Sequence, residues 1–311
     1  THAVHNNEAT FYGRNTVFSN IGFDTFCSME YMNGLTDSPN GWSNDDVLSR
    51  EIMKTLDSTS GPDFTMAITV QSHGKYDGIA LDDPTIKVTG APEGKEQAYE
   101  YYVNEIHEVD RMIDTLIKEL SNRKEETVLV LYGDHLPSLD IQKDDLSNAN
   151  LYQTQYVVWD NMNLKKKTKN LHAYQLYAEV LDRIQIHEGM ITKYHQQTKH
   201  RSKLYLTGLT TLSYDLLYGD NYAYDGKNPF KQTELQMGTE PVKLTSVQKT
   251  KSGYRVVGSG FTPYCKVYYD GTLVESEWIS SECLQLQDEF ELDEADKKDS
   301  GEPETEVTEP R

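Results

Sequence analysis

The chain has 311 residues, enough for two domains, and 50 acidic against 30 basic residues give it a formal net charge of −20. So large an acidic excess repels nucleic-acid phosphates, and a nucleic-acid partner is therefore not expected. Hydrophobic residues make up 37% of the chain, and 21 Tyr, 8 Phe and 3 Trp supply large side chains for a core. No stretch approaches the roughly 18 consecutive apolar residues that a membrane-spanning helix needs.

Strand and helix signals alternate over residues 1–228, which predicts an α/β fold with a mostly parallel sheet flanked by helices. Phe64–Val70 and Thr127–Tyr132 are apolar, β-branched runs typical of buried strands. Between them, apolar residues recur every three or four positions from Tyr99 to Leu120, as in an amphipathic helix. This order predicts a right-handed βαβ crossover in which both strands join one sheet and end at the same edge. Two further elements are predicted, a strand at Tyr156–Trp159 and a helix at Ala173–Ile186.

The remaining residues divide into three segments. We predict a linker at 229–241, a small β-sandwich module at 242–287 and an acidic, disordered tail at 288–311. Within the module, Asp270–Gly271 separates two β-prone runs, which is a strong hairpin signal. The pattern of the module resembles the short immunoglobulin-like modules of bacterial surface proteins.

Polar residues follow both predicted buried strands. Asp134 and His135 come directly after the second strand, and His73 follows the first. Because ligands bind beyond the carboxyl ends of strands in open α/β sheets, these three side chains are expected in one crevice. A carboxylate oxygen and a neutral imidazole nitrogen suit Zn²⁺ or Mn²⁺, so the Asp-His pair is a candidate metal site.

The opening segment provides a third group of candidate residues. His5, Tyr12 and Arg14 lie close together in sequence. A guanidinium group can bind a phosphate through two parallel hydrogen bonds, and an aromatic ring can pack against a sugar or glycerol carbon face. Loops of this composition are also common without any function.

Three stretches occur in the order of one known family: "VHNNEATFYGRNTVFSNIGFDTF", "ITVQSHGKY" and "VLVLYGDHLP". In these motifs the chain resembles lipoteichoic acid synthase-like proteins, which are phosphoglycerol transferases of the alkaline phosphatase and sulfatase superfamily. The resemblance runs from Thr1 to about Tyr222, and it identifies residues 1–228 as the C-terminal part of a sulfatase-like catalytic domain.

The resemblance implies a role for each candidate residue. Asp134 and His135 would bind a divalent metal, with manganese expected and zinc, magnesium or calcium as alternatives. His5, Arg14 and His73 would line the pocket for a phosphoglycerol head group, with Tyr12 packed beside it. A threonine attacks the phosphorus of a phosphatidylglycerol-type lipid, diacylglycerol leaves, and a hydroxyl of a cell-surface glycopolymer, or water, accepts the phosphoglycerol.

The sequence departs from the family pattern in one respect. In relatives, the threonine nucleophile and a further acidic metal ligand precede the first motif, whereas this sequence begins at that motif. No nucleophile is therefore assigned, and we expect the chain to be part of a longer product, inactive and weak in metal binding when isolated. The family also implies a location on the extracellular face of the cytoplasmic membrane, with membrane contact through an N-terminal region that precedes these residues.

Two alternatives stay open from the sequence. A sulfatase or a phosphoethanolamine transferase of the same superfamily would use the same Asp-His pair, and the upstream nucleophile would distinguish them. The combination of His5, Arg14 and His73 favours the phosphoglycerol branch. The other alternative is a catalytically inactive scaffold that binds the cell surface through its β module.

Several residues are interpreted as structural. Trp42 precedes a helix start near Val47, and the basic run Lys165–Lys169 is interpreted as a surface loop. The segment 209–222 is expected to form a final helix and turn. The three cysteines, Cys27, Cys265 and Cys283, show no metal-type spacing and are predicted to be packing residues without a redox role.

Overall fold

A computed structural model of the chain describes residues 1–251 and 253–286, together with the backbone of 305–308. The chain forms two compact units. The first unit comprises Thr1–Glu119, Pro137–Leu151 and Gln232–Arg311, and the second comprises Leu120–Leu136 and Tyr152–Lys231.

The described helices are α1 (Arg14–Ile21), α2 (Val47–Asp57), α3 (Glu96–Asn122), α4 (Ala173–Arg183), α5 (Met190–Gln197) and α6 (Tyr205–Leu217). The strands of the α/β part are β1 (His2–His5), β2 (Thr25–Ser28), β3 (Thr65–Ile68), β4 (Val128–Tyr132), β5 (Tyr156–Asp160) and β6 (Gln236–Met237). Those that follow are β7 (Lys243–Thr250), β8 (Gly253–Ser259), β9 (Lys266–Tyr269), β10 (Thr272–Val274), β11 (Ser276–Ser280), β12 (Cys283–Leu286) and β13 (Thr305–Thr308). Across residues 1–251 and 253–286, no helix combines the length and the apolar character needed to cross a bilayer.

A parallel sheet forms the centre of the first unit, with the strand order β3-β1-β2-β6. Successive side chains of a strand point to opposite faces, and both faces of this sheet are covered. Val4 and Cys27 pack with residues of α2 and α3, including Leu48. On the other face, Phe26 packs with Phe18 of α1. The predicted α/β architecture with a parallel sheet flanked by helices is thus confirmed.

The strand register brings three chain segments to one edge of this sheet. His5, the last residue of β1, is paired with Ser28 at the end of β2 and with Ile68 at the end of β3. Because the three strands are parallel, the residues that follow them emerge side by side. These are the loop after His5, the turn at Met29–Tyr31 and the segment that leads to His73. We call this the carboxyl edge.

The predicted βαβ crossover is wrong. The strands and the intervening helix form close to the predicted positions, but β4 pairs antiparallel with β5 in a two-stranded sheet of the second unit. In the part of the chain that the structure describes, the sheet containing β3 does not include β4. Apolar β-branched runs indicate that a strand forms but do not specify its partner, which explains the error.

The β module forms two facing sheets. One has the order β11-β12-β8-β7 and the other β10-β9-β13. Val256 of the first sheet and Val267 of the second share one buried core with Phe261. The hairpin prediction is confirmed, because Asp270 and Gly271 join β9 to β10 with positive φ values of 45° and 71°. The immunoglobulin-like character of the module stays a resemblance.

The segments on either side of the module contain additional strands. Within the predicted linker 229–241, β6 adds a parallel strand to the sheet beside β2. Of the predicted disordered tail 288–311, residues 288–304 and 309–311 lie outside the described residues. The four residues Thr305–Thr308 differ from that prediction, since they pair antiparallel with β9. The domain boundaries stay a prediction.

The cysteines occupy packing positions. None of the three forms a disulfide; Cys27 and Cys265 are buried and Cys283 is partly buried. Burial raises the pKa of Cys27 to about 12, so its thiol is protonated at neutral pH. The prediction that the cysteines act as packing residues agrees with this placement.

Candidate functional site

His5 provides a buried, unpaired acceptor at the carboxyl edge. Its side chain is only 1% exposed, and its Nδ1 lies 2.8 Å from the carbonyl oxygen of Ile68. Since a carbonyl can only accept, Nδ1 carries the proton and Nε2 carries a lone pair. Nε2 is buried without a hydrogen-bond partner in the described residues. Burial, with a contribution from the Arg14 charge, lowers the pKa of His5 to about 4, so the ring is neutral at neutral pH.

The loop after His5 presents a guanidinium group beside two aromatic rings. Tyr12 and Gly13 adopt left-handed backbone conformations, with φ values of 57° and 62°, and turn the chain into α1 at Arg14. The Arg14 guanidinium lies 5.3 Å from the centre of the Phe11 ring and 5.4 Å from that of Tyr12. The Tyr12 side chain is 80% exposed. A cation held over rings in this way keeps most of its N–H donors available for an anion.

Trp42 connects this loop to His73. The Trp42 ring lies 6.5 Å from the ring of Phe11 and 5.0 Å from that of His73, in both cases edge to face. Its indole nitrogen donates to the Gly74 carbonyl at 3.3 Å, and Asn40 donates to the His73 carbonyl at 3.1 Å. These bonds fix the backbone around His73, whose side chain is exposed. The first unit therefore brings Arg14 and His73 together through a row of aromatic rings.

A buried carboxylate organises the backbone behind these residues. Asp45 is fully buried and accepts hydrogen bonds from the backbone N–H groups of Val70 and Gln71, at 2.9 and 3.2 Å. It also accepts from the side chain of Asn6 at 2.8 Å. Burial raises the pKa of Asp45, and the three donors oppose this shift. Asp45 thus joins the end of β1 to the segment leading to His73.

A second buried carboxylate connects the β module to the same edge. Glu30 accepts hydrogen bonds from the backbone N–H of Ala9, at 3.1 and 3.3 Å, and so holds the loop that leads to Arg14. The hydroxyl of Thr262 in the module donates to the Glu30 carbonyl at 2.6 Å. The module therefore contacts the backbone of the carboxyl edge directly.

The predicted metal pair lies in the second unit. Asp134 and His135 follow β4, as predicted, and their side chains are 81% and 70% exposed. The Asp134 carboxylate accepts from the backbone N–H of His135 at 2.8 Å. The structure thus places His5, Tyr12, Arg14 and His73 in one unit and the Asp-His pair in the other.

The oxygen and nitrogen donors of Asp134 and His135 can supply two of the ligands of a divalent cation, which needs further ligands to complete its coordination. His135 Nδ1 donates to the Leu136 carbonyl at 2.8 Å, which leaves Nε2 as the coordinating nitrogen. Nε2 lies 3.5 Å from Asp134 Oδ2. Neighbouring ligands with bonds of about 2.1 Å stand roughly 3.0–3.4 Å apart, so little adjustment is needed. Within residues 1–251 and 253–286, no group of three His, Cys, Asp or Glu side chains could hold a metal.

Two residues of this site were not assigned to it from the sequence. The sequence predicts a helix start after Trp42, and α2 does begin at Val47. The Trp42 indole also packs against His73, which the sequence does not indicate. Asp45 gave no signal because acidic residues near a helix start are common. Only the folded chain shows that Asp45 is buried beside the end of β3.

Comparison with known proteins places the chain in a family. The family model described as Sulfatase matches residues 1–186. A Rhizobium meliloti (strain 1021) protein named for cyclic beta-1,2-glucan modification is 31% identical over 183 residues, 53% of this chain and 28% of that protein. Lipoteichoic acid synthase 2 of Bacillus subtilis (strain 168) is 23% identical over 180 residues, 56% of this chain and 27% of that protein. The matches thus span little more than a quarter of each curated relative.

A solved structure shares the fold. The Streptococcus pyogenes phosphoglycerol transferase GacH, in complex with sn-glycerol-1-phosphate, superposes with a TM-score of 0.56 at 18% sequence identity. The likeness covers 74% of this chain and 64% of that one, and at this identity it shows the fold alone. The resemblance stated from the three motifs is confirmed at the level of the superfamily. Because the Sulfatase family model matches more than half of the residues of this chain, the chain belongs to the sulfatase family.

Proposed function

We propose that this chain forms the head-group-binding part of a metal-dependent phosphoglycerol transferase. The donor would be a phosphatidylglycerol-type lipid, and the acceptor would be a hydroxyl group of a cell-surface glycopolymer. The observation that carries the proposal is that the carboxyl edge has both a neutral His5, whose Nε2 is an unused acceptor in the described residues, and the Arg14 guanidinium. A phosphoglycerol group offers the complement of both, a hydroxyl hydrogen and an anionic phosphate.

Each residue of the carboxyl edge has a distinct role in this proposal. Arg14 donates to the phosphate, because within the described residues its one side-chain hydrogen bond goes to the Phe11 carbonyl, at 3.2 Å, and its other N–H groups can reach an anion. His5 Nε2 accepts from a glycerol hydroxyl. Tyr12 packs against the glycerol carbons, and His73 contacts the head group from the opposite side of the aromatic row.

The acceptor state of His5 discriminates between ligand classes. A terminal sulfate or phosphate oxygen has no hydrogen to offer, so it would oppose the lone pair of Nε2. A hydroxyl group satisfies that nitrogen. This supports a head group with free hydroxyls over a bare sulfate ester within the same family.

The transfer follows as two displacements at phosphorus. A threonine hydroxyl, which lies before the first motif in relatives, loses its proton and forms a bond to phosphorus, while the bond to the diacylglycerol oxygen breaks and that oxygen takes up a proton. The polymer hydroxyl then forms the new phosphorus–oxygen bond, its proton leaves, and the threonine hydroxyl is restored. Arg14 stays hydrogen-bonded to the phosphate oxygens through both steps and neutralises their charge.

Asp134 and His135 are the residues of this chain that would hold a divalent cation, with manganese expected and zinc, magnesium or calcium as alternatives. When bound, such an ion withdraws charge from phosphate oxygens and favours the ionised form of a nearby hydroxyl. A lipid donor and a surface polymer acceptor fit a location on the extracellular face of the cytoplasmic membrane.

Binding of sn-glycerol phosphate to the chain tests the proposal. Calorimetric titration should show that Arg14→Gln weakens binding about tenfold, because a charge-assisted pair is lost. Arg111→Gln removes the same charge from α3 and should leave the affinity unchanged. Equal affinity of both variants would contradict the assignment of Arg14.

Turnover is tested with the complete gene product. Manganese-dependent release of glycerol phosphate from a phosphatidylglycerol analogue is expected, and it should fall with Arg14→Gln. Release of sulfate from an aryl sulfate, without release of glycerol phosphate, would contradict the proposal in favour of a sulfatase.

A further inference from the structure

A cavity of about 390 Å³ lies within the second unit, away from the Asp-His pair in sequence. Its lining comes from the segment before α4, from α4 and α5, and from the turn between α5 and α6, and it includes Gln175, His195, Lys199 and Arg201. Every residue of the lining belongs to the second unit. Two features distinguish this cavity: a buried hydrogen-bond relay and an excess of cations.

The relay begins at the start of α4. The backbone N–H of His172 donates to Oε1 of Gln175 at 3.0 Å, which fixes the side-chain amide with its NH₂ group directed away. That NH₂ group donates to the hydroxyl oxygen of Tyr205 at 3.1 Å. Gln175 and Tyr205 are 5% and 2% exposed, so neither group has water as an alternative partner.

The relay ends at His195. The Tyr205 hydroxyl lies 2.6 Å from His195 Nδ1, and the described residues offer its hydrogen no other acceptor. The hydroxyl therefore donates to Nδ1, and the ring proton resides on Nε2. Burial, and then the nearby His200, lower the pKa of His195, which favours this neutral form. Since His195 lines the cavity and its Nδ1 is used, Nε2–H is the ring's donor to a ligand.

Three cations, Lys169, Lys199 and Arg201, line the cavity together with two carboxylates, Glu179 and Asp182. Lys199 and Arg201 line it, are exposed, and form no ion pair within residues 1–251 and 253–286. The lining residue Glu179 is compensated by Lys169 at 2.5 Å and by Arg183 at 3.4 Å. Burial alone would raise the pKa of Glu179, but Lys169 and Arg183 hold that pKa below its usual range. The run Lys165–Lys169, interpreted as a loop, thus contributes Lys169 to the lining.

We propose that this cavity binds a phosphate-type oxyanion through the Nε2–H of His195 and the side chains of Lys199 and Arg201. Lys199 and Arg201 form no ion pair in the described residues, and they lie beside a fixed neutral donor in a cavity whose lining has one more cation than carboxylate. Such a set matches a phosphate group, which accepts several hydrogen bonds and carries the opposite charge. The site is separate from the carboxyl edge and does not depend on the proposed transfer reaction.

Titration of the chain with inorganic phosphate tests this site without any assay of turnover. The double variant Lys199→Gln/Arg201→Gln should weaken binding at least tenfold. The matched double variant Lys227→Gln/Lys231→Gln removes the same charge from exposed positions of the second unit outside the lining, and it should change binding less than twofold. Equal weakening in both, or no phosphate binding by the unaltered chain, would overturn the proposal.

Nitrogen NMR of the His195 ring tests the relay. The unaltered chain should show the Nε2–H tautomer, and phosphate should shift that nitrogen; Tyr205→Phe should yield a mixture of tautomers. An Nδ1–H tautomer in the unaltered chain would overturn the assigned donor.

Parallel titrations identify the source of the phosphate group. A sugar phosphate represents a soluble phosphate ester, and vesicles of an anionic phospholipid represent a membrane head group. Loss of binding to either probe in the Lys199→Gln/Arg201→Gln variant supports the site.

Discussion

The candidate residues of the two units are held in different ways. At the carboxyl edge of the first unit, His5 is 1% exposed, Asp45 is fully buried, and each is fixed by hydrogen bonds to the backbone. In the second unit, Asp134 and His135 are 81% and 70% exposed and bond mainly to their own short segment. A head-group pocket that must select one ligand needs fixed atoms. A metal pair with two ligands depends on further donors for its rigidity.

This difference has energetic consequences that can be measured. The buried residues of the carboxyl edge, Asp45 and His5, should contribute to folding stability, because their hydrogen bonds to the backbone are shielded from water. The metal pair should contribute almost nothing to stability in the absence of a cation. The expected effects on stability therefore decrease from Asp45, through His5, to Asp134.

Asp45→Ala should cause the largest loss of stability. The substitution removes the acceptor of three hydrogen bonds and leaves the N–H groups of Val70 and Gln71 buried without partners. We expect the free energy of unfolding, measured by urea denaturation, to fall by about 4 kcal/mol. Asp46→Ala is the matched control, since Asp46 is exposed and makes no side-chain capping bond. Similar losses of stability in the two variants would show that the hydrogen bonds of Asp45 contribute no more to stability than an exposed carboxylate does.

The pH dependence of stability should report on His5. Its pKa is about 4 in the folded chain and about 6.5 when unfolded, so between these values the unfolded state binds more protons. Stability contributed by the neutral, buried ring is therefore fully present above about pH 6.5 and is lost as the pH falls towards 4. The loss should be on the order of 3 kcal/mol.

Two variants isolate this contribution in urea denaturation series between pH 7 and pH 4. In His5→Gln the extra pH dependence should disappear, whereas His187→Gln changes an exposed histidine and should retain it. Parallel curves for the unaltered chain and His5→Gln would mean that His5 is not held neutral by burial.

The sequence predicted the elements of this site better than their arrangement. The strand before His73 and the strand before Asp134 were both located, because short runs of apolar β-branched residues are typical of buried strands. Their partners were not, since a short apolar, β-branched run has the same composition in a parallel sheet and in an antiparallel pair, and both strands are only partly buried. The motifs also predict that His5 and Arg14 line a ligand pocket, which stays a prediction, but the tautomer of His5 depends on the carbonyl of Ile68, 63 positions away.

Asp45 and Trp42 could not be assigned for the same reason. The chemistry of a carboxylate depends on its burial, and Asp45 is buried because Asn6, Val70 and Gln71 converge on it from two other segments. Trp42 acquires its place from the rings of Phe11 and His73, which lie 31 positions away on each side of it in the chain. Such long-range packing has no local sequence signal.

The smallest expected effect concerns the metal pair and completes the comparison. Without metal, Asp134→Asn should change the free energy of unfolding by less than about 0.5 kcal/mol, because the side chain is 81% exposed. Added manganese should stabilise the unaltered chain by about 0.4 kcal/mol when its concentration equals the dissociation constant, and by more above it. Asp134→Asn should abolish that increment, whereas Asp220→Asn, an exposed carboxylate of the same unit, should retain it. A large loss of stability in metal-free Asp134→Asn would instead make this carboxylate a structural group, and the contrast between the carboxyl edge and the Asp-His pair would fail.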